Sequence, residues 1–180
     1  MTEVKIELCQ IEESEIPLLR DFLNSKHAQN LGFYSAYSAE FLNQNFDMLW
    51  KDPNAYCFSI KTQHPGDFKK VVGGFCTIRN INWTARHGEL LFIKINKDGN
   101  LLSIGECDEA GTAFKMLIDY CFDELNLNKV WIEIFQGYDV GATLDKLGFI
   151  AEGVRQFSRQ VNAKQISTTI FSLLSEEYRR

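Results

Sequence analysis

The apolar positions of this chain follow two periods, and the switches between them mark its elements. Val4 to Leu8 (VKIEL) alternates apolar and polar side chains, the signature of a half-buried strand. Ser14, its acidic neighbours and Pro17 then open a short helix that runs to Leu23. Ser38 is placed to cap a second helix, since Phe41, Leu42, Phe46, Leu49 and Trp50 recur on one face before Asp52-Pro53 ends it. Between these helices lies NLGFYSAY, residues 30 to 37, aromatic-rich and without a period, hence a loop. Three strands follow at Ala55–Lys61, Val71–Asn80 and Gly88–Ile95, rich in β-branched or aromatic residues and bounded by turn residues. They predict an antiparallel meander.

The most regular pattern is Ala110, Ala113, Phe114, Leu117, Ile118, Cys121, Phe122 and Leu125, which predicts a long amphipathic helix over Ala110–Leu125. Val130–Phe135 (VWIEIF) is almost continuously apolar, as in a strand covered on both faces. Asp139 can cap a short helix that Gly148 ends, and Phe149–Arg159 with Ile166–Leu174 forms a hairpin around Asn162 to Lys164. The order β-α-α-β-β-β-α-β-α-β-β is that of a mixed α/β chain of the α+β class. With no internal repeat and no long polar linker, residues 1–180 are expected to form a single domain.

Composition narrows the partners. Twenty-four acids against 19 bases, a net charge of -5, argue against non-specific nucleic-acid binding and accommodate an amine or cationic substrate. No window approaches the ~20 apolar residues of a membrane span, and MTEVKIELCQ lacks the basic and apolar regions of a signal peptide. A cytoplasmic protein with no membrane partner is expected. The five cysteines are irregularly spaced, which disfavours disulfides and structural zinc; Cys57, Cys76 and Cys121 sit in apolar runs, as buried thiols do. No metal is expected.

Two stretches carry a family resemblance. AFKMLIDYCFDELNLNKVWIEIF, residues 113–135, resembles the helix, loop and strand of the GCN5-related N-acetyltransferases (GNAT superfamily), and KLGFIAEGVRQ, residues 146–156, resembles their Lys-Leu-Gly-Phe and Glu-Gly motif. The similarity is to the branch of ribosomal-protein N-terminal acetyltransferases and aminosugar N-acetyltransferases. It implies a central, mostly antiparallel twisted sheet of about seven strands flanked by about four helices.

The resemblance also implies acetyl-CoA as cosubstrate, held in a gap between splayed strands with its pyrophosphate on amides opening the long helix. A helix N-terminus favours anions through its unpaired N–H groups and its dipole, best where side chains are small. The matching residues here are Gly105, Asp108, Ala110, Gly111 and Thr112, in a turn that reads GECDEA from Gly105. Asp108 stands where the family has glycine, and Gly105 where it has a basic or amide residue. Backbone amides of Ile93 to Ile95 would polarise the thioester carbonyl.

Acetyl transfer requires a base for the amine and an acid for the leaving thiolate. Glu89 is the first candidate base and His87 the second, both at the start of the strand that lines the family's cleft. Their plain alternatives are an exposed strand carboxylate and a turn residue. The family's tyrosine acid falls on Leu144 and its asparagine on Gly137, which leaves Tyr138 as a substitute acid, with water as the alternative proton source. For the acceptor, Phe33, Tyr34 and Trp83 suit a sugar ring or a base, and equally a core; His27, Tyr37 and Phe157 belong to the same group. Arg79, Arg86, Arg155 and Arg159 suit phosphates of a nucleotide-sugar, or open solvent.

The expected activity is that of an acyltransferase, an N-acetyltransferase acting on the primary amine of a small molecule, such as an aminosugar nucleotide, by direct transfer in a ternary complex. The four departures, at Gly105, Asp108, Gly137 and Leu144, support a different reading, a non-catalytic GNAT-like module that binds a ligand or partner. A protein N-terminal acetyltransferase of the ribosomal-protein type is a third. Monomer and homodimer are both compatible with the sequence.

Overall fold

The computed structural model describes residues 4–23, 52–95, 101–102, 108–135, 140–161 and 164–179. Among these, eight strands form one sheet: β1 (Lys5–Gln10), β2 (Tyr56–Gln63), β3 (Val71–Asn82), β4 (His87–Ile95), β5 (Leu101–Leu102), β6 (Lys129–Phe135), β7 (Ile150–Val161) and β8 (Lys164–Leu174). Their order is β1-β2-β3-β4-β6-β8-β7, with β5 added on β4. The β2-β3-β4 meander is antiparallel throughout, as its turn signals require. The second predicted helix, with Ser38 and Phe41 to Trp50, lies outside the described residues.

Helix α1 (Ile16–Leu23) is preceded by a 3-10 turn at Glu13–Glu15. Its cap is not Ser14 but a pair of acids, since the Glu12 amide donates to Glu15 Oε2 at 3.0 Å. Lys61 on β2 binds both, at 2.6 Å to Glu12 and 3.1 Å to Glu15, which ties the helix start to the sheet. Leu19 and Leu23 then pack with Ile11, Phe75 and Ile93 on one face of the sheet.

The opposite face is covered by α2 (Asp108–Asp119), which runs into a π turn at Tyr120–Glu124. Ala110, Ala113, Phe114, Leu117, Ile118, Cys121 and Phe122 are all buried against Ile60, Ile78, Leu90, Val130 and Leu173 of five strands. This is the periodic stripe read from the sequence, and it holds the main core. Gly88 sits where the layers meet, since a Cβ there would lie 3.0 Å from Ile78 Cγ2. Helix α3 (Gly141–Lys146) ends at Gly148, whose φ of +86° supplies the left-handed stop. Val140 takes the N-cap position predicted one residue earlier, at Asp139, which is outside the described residues.

A short α4 (Ser175–Tyr178) closes the described chain, clasping the π turn: Tyr178 donates to Asp119 Oδ1 at 2.6 Å and Arg179 Nη2 to the Phe122 carbonyl at 3.2 Å. Neither α4 nor the two-residue β5 follows from the hydrophobic pattern. No helix among the described residues is long and apolar enough to cross a membrane.

Candidate active site

Strands β4 and β6 run parallel, yet pair only at His87↔Lys129, Gly88↔Val130 and Glu89↔Trp131. The closed end of this pairing is fixed by the β3–β4 turn, where the Arg86 carbonyl accepts the Asn128 amide at 2.6 Å and the Lys129 amide at 3.2 Å. The Arg86 guanidinium Nε adds a bond to the Asn126 carbonyl at 2.7 Å. Beyond Glu89 the two strands part. Lys94 and Ile95 of β4 pair with β5, and Ile132 to Phe135 of β6 pair with β8, so Leu90 to Ile93 face a gap with no strand on that edge among the described residues. Alternate N–H and C=O groups along that edge point into the gap, because the strand period is two.

Glu89 stands at the closed end of the gap, on the α1 face, and is 4 % exposed. Arg79 Nη2 donates to its Oε1 at 2.7 Å and Asn80 Nδ2 to its Oε2 at 2.6 Å. Consecutive residues of a regular strand point to opposite faces; here a register shift between Arg79 and Asn82, with Asn80 at φ 52°, turns both toward one carboxylate. Glu89 is thus not the exposed strand carboxylate of the plain alternative. A carboxylate has about four lone-pair positions, so two donors leave room for a water or an amine. His87, two residues back, has its Nδ1 buried with no hydrogen-bond partner among the described residues.

The same face of β6 carries a second enclosed carboxylate, Glu133, which the sequence reading passed over. Thr168 on β8 donates to it, and Ser158 on β7 completes the chain with Oγ 2.6 Å from Thr168 Oγ1. Arg155 Nη1 lies 3.7 Å from Glu133 and its guanidinium 6.0 Å from the Trp131 ring. The available signal was a lone acid in an otherwise apolar strand, VWIEIF. Toward α1, a small apolar cavity of about 40 Å³ is lined by Leu19, Leu23, Cys57, Phe75, Thr77 and Leu91.

The remaining sequence candidates are scattered. Ile93 lies on the gap edge with its side chain buried under α1, whereas Ile95 lies beyond the gap in the β4–β5 pairing. Trp83 is not beside Glu89: it is 46 % exposed at the β3–β4 turn and stands edge-on to Tyr56, at 6.4 Å, next to Tyr120 of the α2 layer. Phe157 is exposed on β7 at φ 51°. Leu144 is fully buried in the core, so its position presents nothing to the gap. Tyr138, Gly137, Gly105, Phe33, Tyr34, Tyr37 and His27 lie outside the described residues.

At the N-terminus of α2, Asp108 and Glu109 occupy the first turn, Asp108 and Thr112 are exposed, and Ala110 is fully buried. The open edge of β4 at Leu90 to Ile93 suits a slender cosubstrate arm whose amides bond a strand edge. The two acids complement the helix dipole in place of an anion, which is the departure from the family pattern.

The same overall fold has been seen in solved structures. Spermidine N-acetyltransferase from Vibrio cholerae, in complex with CoA and spermine, superposes with a TM-score of 0.80 over 97 % of this chain and 98 % of that one, at 19 % identity. A probable acetyltransferase matches with a TM-score of 0.69 over 96 % of this chain and 94 % of that one, at 21 % identity. At such identity the likeness establishes the fold, the α+β architecture of the GNAT acetyltransferases expected from the sequence. No family model and no curated protein matches the sequence.

Proposed function

We propose that this protein is an N-acetyltransferase that moves an acetyl group from acetyl-CoA to the primary amine of a small molecule. The observation that carries the reading is the gap between β4 and β6 with Glu89 buried and oriented at its closed end. The solved relative bound to CoA and spermine supports it. Acetyl-CoA supplies the acetyl group as a thioester, whose thiol leaves more readily than an alcohol.

The chain's own residues do the rest. Glu89 takes the proton of the attacking amine, directly or through a water on its free lone pairs. His87, whose Nδ1 has no hydrogen-bond partner among the described residues, is the second proton acceptor. Backbone N–H groups of Leu90 to Ile93 that face the gap polarise the carbonyl, a role that needs no particular side chain. Tyr138 or water returns a proton to the departing sulfur. A cysteine intermediate is disfavoured at Cys57 and Cys76, because burial pushes the Cys57 thiol up and that of Cys76, wholly enclosed, further still, which suppresses the thiolate.

The acceptor is cationic before it reacts, and the attraction of Glu89 and Glu133 for that charge is offset by Arg79 and Arg155 beside them. An aminosugar nucleotide is the acceptor class the sequence suggests, and a polyamine the class held by the solved relative. The net charge of -5 weighs toward the less anionic of the two. A panel of aminosugar nucleotides, polyamines and peptide N-termini, assayed by thiol release, separates them.

The rival reading, a non-catalytic ligand-binding module, is favoured by Asp108 and Glu109 at the α2 terminus and by the buried Leu144. Calorimetric titration with acetyl-CoA and with CoA decides the first step. Micromolar binding supports the transferase; absence of binding at millimolar cosubstrate rules it out. Asp108→Asn then tests the terminus. An exposed carboxylate about 4 Å from a phosphate costs about 1 kcal/mol in water, so its neutralisation is expected to tighten CoA binding about three- to fivefold, less at high salt. Unchanged affinity would place the pyrophosphate elsewhere.

A further inference from the structure

We propose that Asn80 is a positioning residue of this site: from a bulge in β3 its side-chain amide fixes the second oxygen of Glu89, while Arg79 fixes the first. Its catalytic meaning rests on the proposed acetyl transfer; its geometry does not.

The bulge is what makes the arrangement possible. Ile78 and Ile81 are both buried in the core under α2, three positions apart, where a regular strand would send them to opposite faces. The two residues between them, Arg79 and Asn80, both reach Glu89 on the other face. Asn80 achieves this at φ 52°, a conformation that β-branched and bulky residues avoid and that Asn tolerates. Glycine would accept the backbone but bring no donor, and a longer amide would strain it.

The chemistry asks for two separate donors. A carboxylate facing an arginine alone is drawn into a two-pronged pair that turns both oxygens to the guanidinium. Here Arg79 meets Oε1 through Nη2, and Oε2 is held from a different direction by a neutral amide. The carboxylate plane is therefore fixed by two anchors, and the remaining lone pairs have one direction to face. Because Asn80 itself is exposed, the amide contributes orientation from the surface side without adding charge beside the base.

Asn80→Gly keeps the left-handed backbone and deletes only the amide. Its kcat per folded molecule is expected to fall about tenfold, with KM for acetyl-CoA and amine within about twofold and a melting temperature lowered by the lost hydrogen bond to a buried carboxylate. Asn80→Asp keeps size and backbone, and its carboxyl regains a donor when protonated. Its turnover relative to wild type should therefore rise as pH falls from about 8 to about 6. A role confined to the bulge would leave Asn80→Gly fully active and the Asn80→Asp ratio flat, and either result overturns the proposal. Nuclear magnetic resonance gives a readout independent of turnover. One Asn80 side-chain amide proton should resonate downfield of ordinary asparagines and return to their range in Glu89→Ala; an ordinary position in the wild type overturns the proposal. A wild-type protein that acetylates no amine defeats the transferase reading, and the amide resonance still decides the positioning.

Discussion

The Glu89→Gln protein should lose at least a hundredfold in kcat, measured as thiol release at saturating acetyl-CoA and amine. General-base catalysis is worth about 10²- to 10⁴-fold, and the amide removes the base while keeping the shape. The substitution also meets two donors with a group that accepts on one side only. Its oxygen can still take Arg79 at the 2.7 Å position, while its NH2 needs the Asn80 amide to turn over and offer Oδ1 in place of Nδ2. Loss of the charge on Glu89 also weakens its pairing with Arg79, so some loss of thermal stability is expected alongside and activity must be compared per folded molecule. Acetyl-CoA affinity should be preserved, since the open edge of β4 beyond Glu89 is backbone. Turnover within threefold of wild type would remove Glu89 from the proton path and transfer the role to His87.

The second large effect is structural. Phe114→Ala should destabilise the protein by about 3 to 5 kcal/mol, the usual cost of deleting a fully enclosed phenyl ring. Phe114 stands edge-on to Phe92 of β4 at 5.4 Å between ring centres and stacks on Phe149, just after α3, at 5.9 Å. It thus joins the long helix to the strand edge of the gap and to the segment leading into β7. For a chain of this size the melting temperature should drop on the order of 10 °C, read by circular dichroism. Lys115→Ala, one residue on and exposed, is the control and should stay within about 0.5 kcal/mol. A loss below about 1 kcal/mol would mean that neighbouring rings collapse into the void.

These two residues differ in how far the sequence disclosed them. Phe114 was legible because helical burial repeats at three and four residues, and a stripe from Ala110 to Leu125 leaves few alternatives. The β2-β3-β4 meander and Gly148 were legible for similar reasons, local period and local backbone demand. The π turn at Tyr120–Glu124 was not, since its residues are apolar enough to continue the stripe unchanged. For Glu89 the strand was visible but its partners were not. Whether Asn80 faces Glu89 depends on a bulge, and a bulge depends on the register against β4, which no local pattern states. Trp83 is the opposite case: an aromatic residue suits a pocket or a surface cluster equally, and the fold puts it beside Tyr56. Glu133 is a single acid in an apolar strand, and its partner Thr168 lies on β8, beyond the reach of any local pattern.

The gap has a meaning for the energetics of the whole sheet. Strands β1 to β4 form one antiparallel package and β6 to β8 another, and among the described residues three parallel residue pairs join them. In terms of cooperative units, this short join is the seam where the sheet is expected to open first without either package unravelling, with α2 as the shared clasp. Deuterium uptake should therefore be faster at Leu90–Ile93 than in the doubly bonded interior of β3 or β8. A ligand that hydrogen-bonds along that edge acts as a missing strand and slows uptake on both sides of the seam at once.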